Sequence, residues 1–126
     1  RGRGIVCQNG QTVIIDKEGT KWIVKESEPV KVDVAEWNEY TIIARGNHLI
    51  HKVNGQVTAD VIDLQEDQRE LEGLLALQIH QGPAMKVQVK DIVLKELPVG
   101  GVLTADQVTI PADAKKAAGP PAKKKK

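Results

Sequence analysis

Asn54-Gly55 lies between two β-branched runs, His48 to Val53 and Gln56 to Ile62, and this pairing constrains the chain more than any other feature. A two-residue type I′ turn needs positive φ at both central positions, and asparagine followed by glycine meets that need best. The two runs therefore read as an antiparallel hairpin. A second hairpin is predicted from Gln11–Ile15 and Lys21–Val24, joined by Asp16-Lys17-Glu18-Gly19-Thr20.

The core must come from Val, Ile and Leu, because the chain has no Phe and its only aromatics are Trp22, Trp37 and Tyr40. Such side chains suit strands. Further strands are expected at Val30-Val32-Val34, at Trp37 to Arg45 with a turn at Gly46-Asn47, and at Leu74 to His80. A last one is expected over Met85-Val87-Val89, where the change of parity at Ile92 and Leu94 calls for a bulge near Lys90-Asp91. Asp63 to Glu72 reads as a loop or one helical turn. Short strands without long helical patterns define an all-β antiparallel stack.

The organisation predicted is a β-domain over residues 1–97, a linker with room for one short strand over 98–112, and a disordered Lys/Pro/Ala-rich tail over 113–126. Net charge is +1, with six lysines concentrated in the tail. The body lacks the basic surface and stacking aromatics of a nucleic-acid binder, so no nucleic-acid partner is expected. No run approaches the ~20 apolar residues of a transmembrane helix. Cys7 is the single cysteine, which excludes an internal disulfide and a four-cysteine zinc site. Beside Ile5 and Val6 it reads as part of a buried strand.

Three blocks in order carry a resemblance: Trp37-Asn38-Glu39-Tyr40, then Gly46-Asn47-His48-Leu49-Ile50-His51-Lys52-Val53-Asn54-Gly55, then Gly73 through Leu77-Gln78-Ile79-His80-Gln81-Gly82-Pro83-Ala84-Met85 and on to Leu97. The chain resembles the 3-keto-disaccharide hydrolase domain family from about Gly2 to Leu97. The resemblance implies a concanavalin-like jelly-roll sandwich, incomplete here because the family's opening strands would precede Arg1. It also implies an activity on disaccharides or glycosides oxidised at C3 of the glucose ring, and a periplasmic or secreted location if the chain follows the family. Ala84 departs from the family's usual second proline and changes the loop there.

A ketone at C3 acidifies the proton on the neighbouring carbon and lets the glycosidic oxygen leave by elimination, with water adding afterwards. A base near neutrality then suffices, and histidine is the natural choice. His80 shares a face with Gln78 and the small Ala76, and the resemblance places the family motif on it. His80 and His51 are therefore expected to be the catalytic pair, with Gln78, Asn47 and His48 contacting sugar. Each has a plainer reading: a solvated strand-end residue for His80, a hydrogen-bonded core histidine for His51, an exposed turn histidine for His48, and turn geometry for Asn47. Asp60 and Asp63 could form a glycosidase carboxylate pair, although charged loop carboxylates are more often simply solvated. Trp37 reads as core rather than as a sugar platform. The histidines lack an HExxH pattern, so neither a metal nor any other cofactor is assigned. A non-catalytic carbohydrate-binding sandwich is the alternative function, and the sequence leaves the oligomeric state open.

Overall fold

In the computed structural model, which describes residues 3–117, all regular structure is β. The strands are β1 Gln11–Ile15, β2 Lys21–Glu26, β3 Tyr40–Arg45, β4 His48–Val53, β5 Gln56–Asp63 and β6 Lys115–Lys116. They form one sheet in the order β3-β4-β5-β1-β2-β6. All pairs are antiparallel except β1 with β5, which run parallel. The all-β class read from the sequence is the class observed, as a single mixed sheet.

Turn chemistry sets the three hairpins. Asn54 and Gly55 have φ of 49° and 79°, the signature of a type I′ turn. Gly46 has φ of 56° while Asn47 is not left-handed, so β3 and β4 are joined by a type II′ turn. Gly46 is required there twice over, because a Cβ would also sit 2.5 Å from the backbone of Gly101. Between β1 and β2, Asp16 Oδ1 accepts from the N–H groups of Glu18 (3.0 Å) and Thr20 (2.8 Å), and Oδ2 accepts from Trp22 Nε1 (2.8 Å).

Burial pushes the Asp16 carboxyl upward, but the hydrogen bonds from Trp22, Thr20, Glu18 and Gly19 outweigh it and hold the group below the ordinary carboxylate range. The stabilisation this carries is complete above the unfolded aspartate value, ~4, and is lost as pH falls through the lower folded value. Asp16→Asn is expected to cost about 1–2 kcal/mol at neutral pH, the lower end of the range for bonds to a charged group because the carboxylate is partly exposed. The gap from wild type should narrow below pH ~4. Denaturant melts of both proteins across that range check it, and parallel curves at every pH would refute it.

The core lies on one face of the sheet, where Val13, Ile15 and Val61 are buried and packed against Val6, Cys7 and Ile23. Register explains the grouping: Val13 pairs with Val61 and Ile23, and Ile15 pairs with Asp63. Arg3 closes this face by pairing with Asp63. Cys7 is half-buried in an irregular segment, with Ile5 beside it 75% exposed, so the expected buried strand does not form. Burial pushes the Cys7 thiol up, the N–H of Asp60 draws it down and the Asp60 charge raises it again. The net rise keeps the thiol protonated at neutral pH and argues against a nucleophile.

Three predicted strands are absent. Residues 30–34, 74–80 and 85–94 are irregular, and Leu74, Leu75, Leu77 and Ile79 are all exposed. Alternation prepares a segment to be a strand, but the strand exists only when a neighbour takes its N–H and C=O groups. Among the described residues no strand does so for these segments, and at Val30 the two groups are taken by the Asn9 side-chain amide instead. No strand forms over 98–112 either. The region expected to be a disordered tail is split: Lys115 and Lys116 pair with Ile23 and Trp22, while residues 118–126 lie outside the described part. Gln65 O accepts from Gln68 N and Arg69 N, a single helical turn after β5. No described helix is long and apolar enough to cross a membrane.

Candidate functional site

The β4–β5 hairpin begins with Val53 opposite Gln56 and Lys52 opposite Val57, but His51 then pairs with Ala59, leaving Thr58 without a partner. Thr58 is the extra residue of a β-bulge, fixed by its hydroxyl bonding His51 O (3.2 Å) and by its own carbonyl accepting from Gly10 N (2.8 Å). Side chains alternate with period two, so this one extra residue sends everything beyond it in β5 to the opposite face. Asp60 is thereby moved off the core face and beside His48.

His48 Nε2 lies 2.6 Å from Asp60 Oδ1, and both side chains are about 30% exposed (32% and 29%). An ionised carboxylate can only accept, so Nε2 donates to Asp60, and the tautomer this contact selects in a neutral ring carries its lone pair on Nδ1. The register surrounds the pair with apolar neighbours on the same face, Ile50 opposite Asp60 and Ile62 opposite His48. This is an imidazole oriented by a carboxylate and open to solvent, an arrangement that can take a proton and stabilise the resulting imidazolium.

His51, three residues on, projects from the other face. Its Nδ1 is 2.7 Å from the Tyr40 hydroxyl, with the rings edge to face at 5.6 Å and 72°. Asp60 and Asp63 are likewise on opposite faces, and Asp63 is buried with Arg3, so they form no carboxylate pair.

The other predicted residues are scattered. Asn47 is buried at 3% exposure, its Nδ2 donating to Asp63 O and Leu103 O (2.8 Å each) and its Oδ1 accepting from Leu103 N (2.6 Å). Its amide is spent on pinning residues 101–103 to the β3–β4 turn. Gln78 and His80 are exposed on the irregular segment, where His80 Nδ1 donates to the adjacent Gln81 carbonyl at 2.9 Å. Trp37, expected in the core, is 56% exposed and carries Lys90 Nζ 4.2 Å above its ring. It precedes β3 outside the sheet, so no facing layer covers it. Two shallow hollows, of about 160 and 210 Å³, contain none of the histidines. Among the described residues no three His, Cys, Asp or Glu side chains converge as a metal site.

Fold and site together define an all-β sheet domain that presents a carboxylate-oriented histidine on one face. More narrowly, the chain belongs to the 3-keto-alpha-glucoside-1,2-lyase-like domain family, whose pattern matches residues 2–95. No curated protein and no solved structure matched it. Sequence reasoning missed Asp60 as the partner of His48, because the two fall on different faces of an unbulged hairpin.

Proposed function

We propose that this domain cleaves 3-keto-glucosides by elimination followed by hydration, with His48 as the base and Asp60 as its positioning residue. The observation that carries this reading is the 2.6 Å contact between His48 Nε2 and Asp60 Oδ1, which leaves Nδ1 of the neutral ring to act as the base. His48 Nδ1 takes the proton from C2, acidified by the C3 ketone. The C2–H electrons form the C1=C2 bond as the C1–O bond breaks, and the imidazolium returns its proton to the departing oxygen. Water then adds across the double bond, giving hydroxyl to C1 and a proton to C2.

His51 and His80 serve this role less well. One nitrogen of His51 is engaged by the Tyr40 hydroxyl, and His80 is exposed with its Nδ1 spent on the Gln81 carbonyl. Gln78 and His80 are contacts to the sugar only if residues 74–80 fold toward it. A non-catalytic carbohydrate-binding role is favoured by one separate observation: Trp37 and Tyr40, two of the three aromatics, are more than half exposed, as sugar-stacking rings are.

The test is to incubate the full chain with a 3-keto-glucoside in D2O. Elimination and hydration place solvent deuterium at C2 of the released sugar, above a control without protein. Cleavage without that label would replace elimination by direct hydrolysis, and binding without cleavage would establish the module.

A further inference from the structure

β3 ends the sheet, and among the described residues no hydrogen bond reaches the backbone of Tyr40 to Arg45 from its outer side. The two-residue Gly46-Asn47 turn makes Arg45 and His48 the closing hydrogen-bonded pair, because that is how such turns join antiparallel strands. By alternation, Thr41 and Ile43 also bond inward to β4. The N–H and C=O groups of Tyr40, Ile42 and Ala44 therefore point outward.

Natural edge strands are usually blunted by proline, a bulge or an inward charge. β3 has none of these, and it presents Tyr40 (57% exposed) and Ile42 (49%) beside its open edge. A strand of this kind pairs readily with another, and its sequence specifies which one.

We infer that the outer edge of β3 is a self-association surface that takes a second copy of this chain, antiparallel, about a two-fold axis through Ile42. Only outward-bonding residues can form the hydrogen-bonded pairs, and the one register that pairs all three of them sets Ile42 facing its copy and Tyr40 facing Ala44. That register keeps core-side residues together, as pairing of continuous sheets requires. It also sets Glu39 opposite Arg45 twice, once at each end. Both residues are exposed, and among the described residues neither takes part in an ion pair. The interface is isologous and closes after two copies. A pairing of two six-residue strands buries little surface, so the dimer is of the weak, concentration-dependent kind.

Sedimentation velocity on the full chain over a roughly hundredfold concentration range reads the equilibrium. Wild type is expected to shift from monomer to dimer. E39R and R45E should each weaken dimerisation at least tenfold by facing like charges at both ends, and the double variant E39R/R45E should restore it. Ile42→Pro removes an outward N–H without touching the ladder to β4, so it should abolish the dimer while circular dichroism keeps its β signal. Association unchanged by either single reversal, or no rescue in the double variant, overturns the inference and assigns any association to the apolar residues 74–94. Slow amide exchange at Ile42 and Ala44 in the monomer would overturn it as well, since the edge would then be occupied from within the chain.

Discussion

His48→Ala should lose at least about 10²-fold in turnover of a 3-keto-glucoside, the scale of a positioned general base, with the fold intact because the side chain lies outside the core of Val13, Ile15 and Val61 and is partly exposed. Added imidazole should restore part of the rate, which no structural role would allow. Asp60→Asn is the informative companion. An asparagine can offer its NH2 to Nε2, which holds the proton on Nδ1 and removes the lone pair from that nitrogen. The imidazole stays in place but in the wrong tautomer, so the loss should fall on turnover while KM stays within a small factor. If His48→Ala keeps full activity and His80→Ala loses it, the base is on the irregular segment instead. A wild-type chain that binds but never turns over removes the catalytic reading altogether.

How far the sequence could be read follows from which interactions are local. The Asn54-Gly55 and Asp16–Thr20 hairpins were legible because a few adjacent residues specify each turn, and the all-β class followed from β-branched runs of strand length. Strands at 30–34, 74–80 and 85–94 were misread because alternation records suitability, whereas pairing needs a neighbour that distant parts of the chain supply. Trp37 was misplaced for the same reason: hydrophobicity says a ring is worth burying, not that a layer exists above it. At the site, the sequence singled out the three histidines as candidates, but the neighbours the fold would give each of them were not legible. His48 and Asp60 meet only because Thr58 bulges, and without that residue's offset Asp60 would share the core face with Leu49. The parallel contact of β1 with β5 is equally remote in sequence and had no local signature.

Asn47→Ala should destabilise the protein by about 2–4 kcal/mol, one buried side-chain amide removing three hydrogen bonds and leaving the groups at Leu103 and Asp63 to find other partners. For a domain of this size the melting temperature should drop by roughly 10 °C or more. The loss is not confined to the turn, because Asn47 is the clamp between β4, the end of β5 and residues 101–103. Gly101 lies against Gly46 and the Arg45 side chain, so releasing the clamp should also free that packing. Amide exchange should therefore quicken at Leu103 and at the β3–β4 turn before it quickens in β1, where Val13 and Ile15 hold the core. The same variant separates the two meanings of this residue. A sugar-contacting asparagine would raise KM in protein that is still folded, whereas a clamp lowers the folded fraction and leaves KM of the remainder unchanged. A raised KM with an unaltered melting temperature would return Asn47 to the substrate-binding set, and it would imply that the three bonds seen here are exchanged for contacts with ligand.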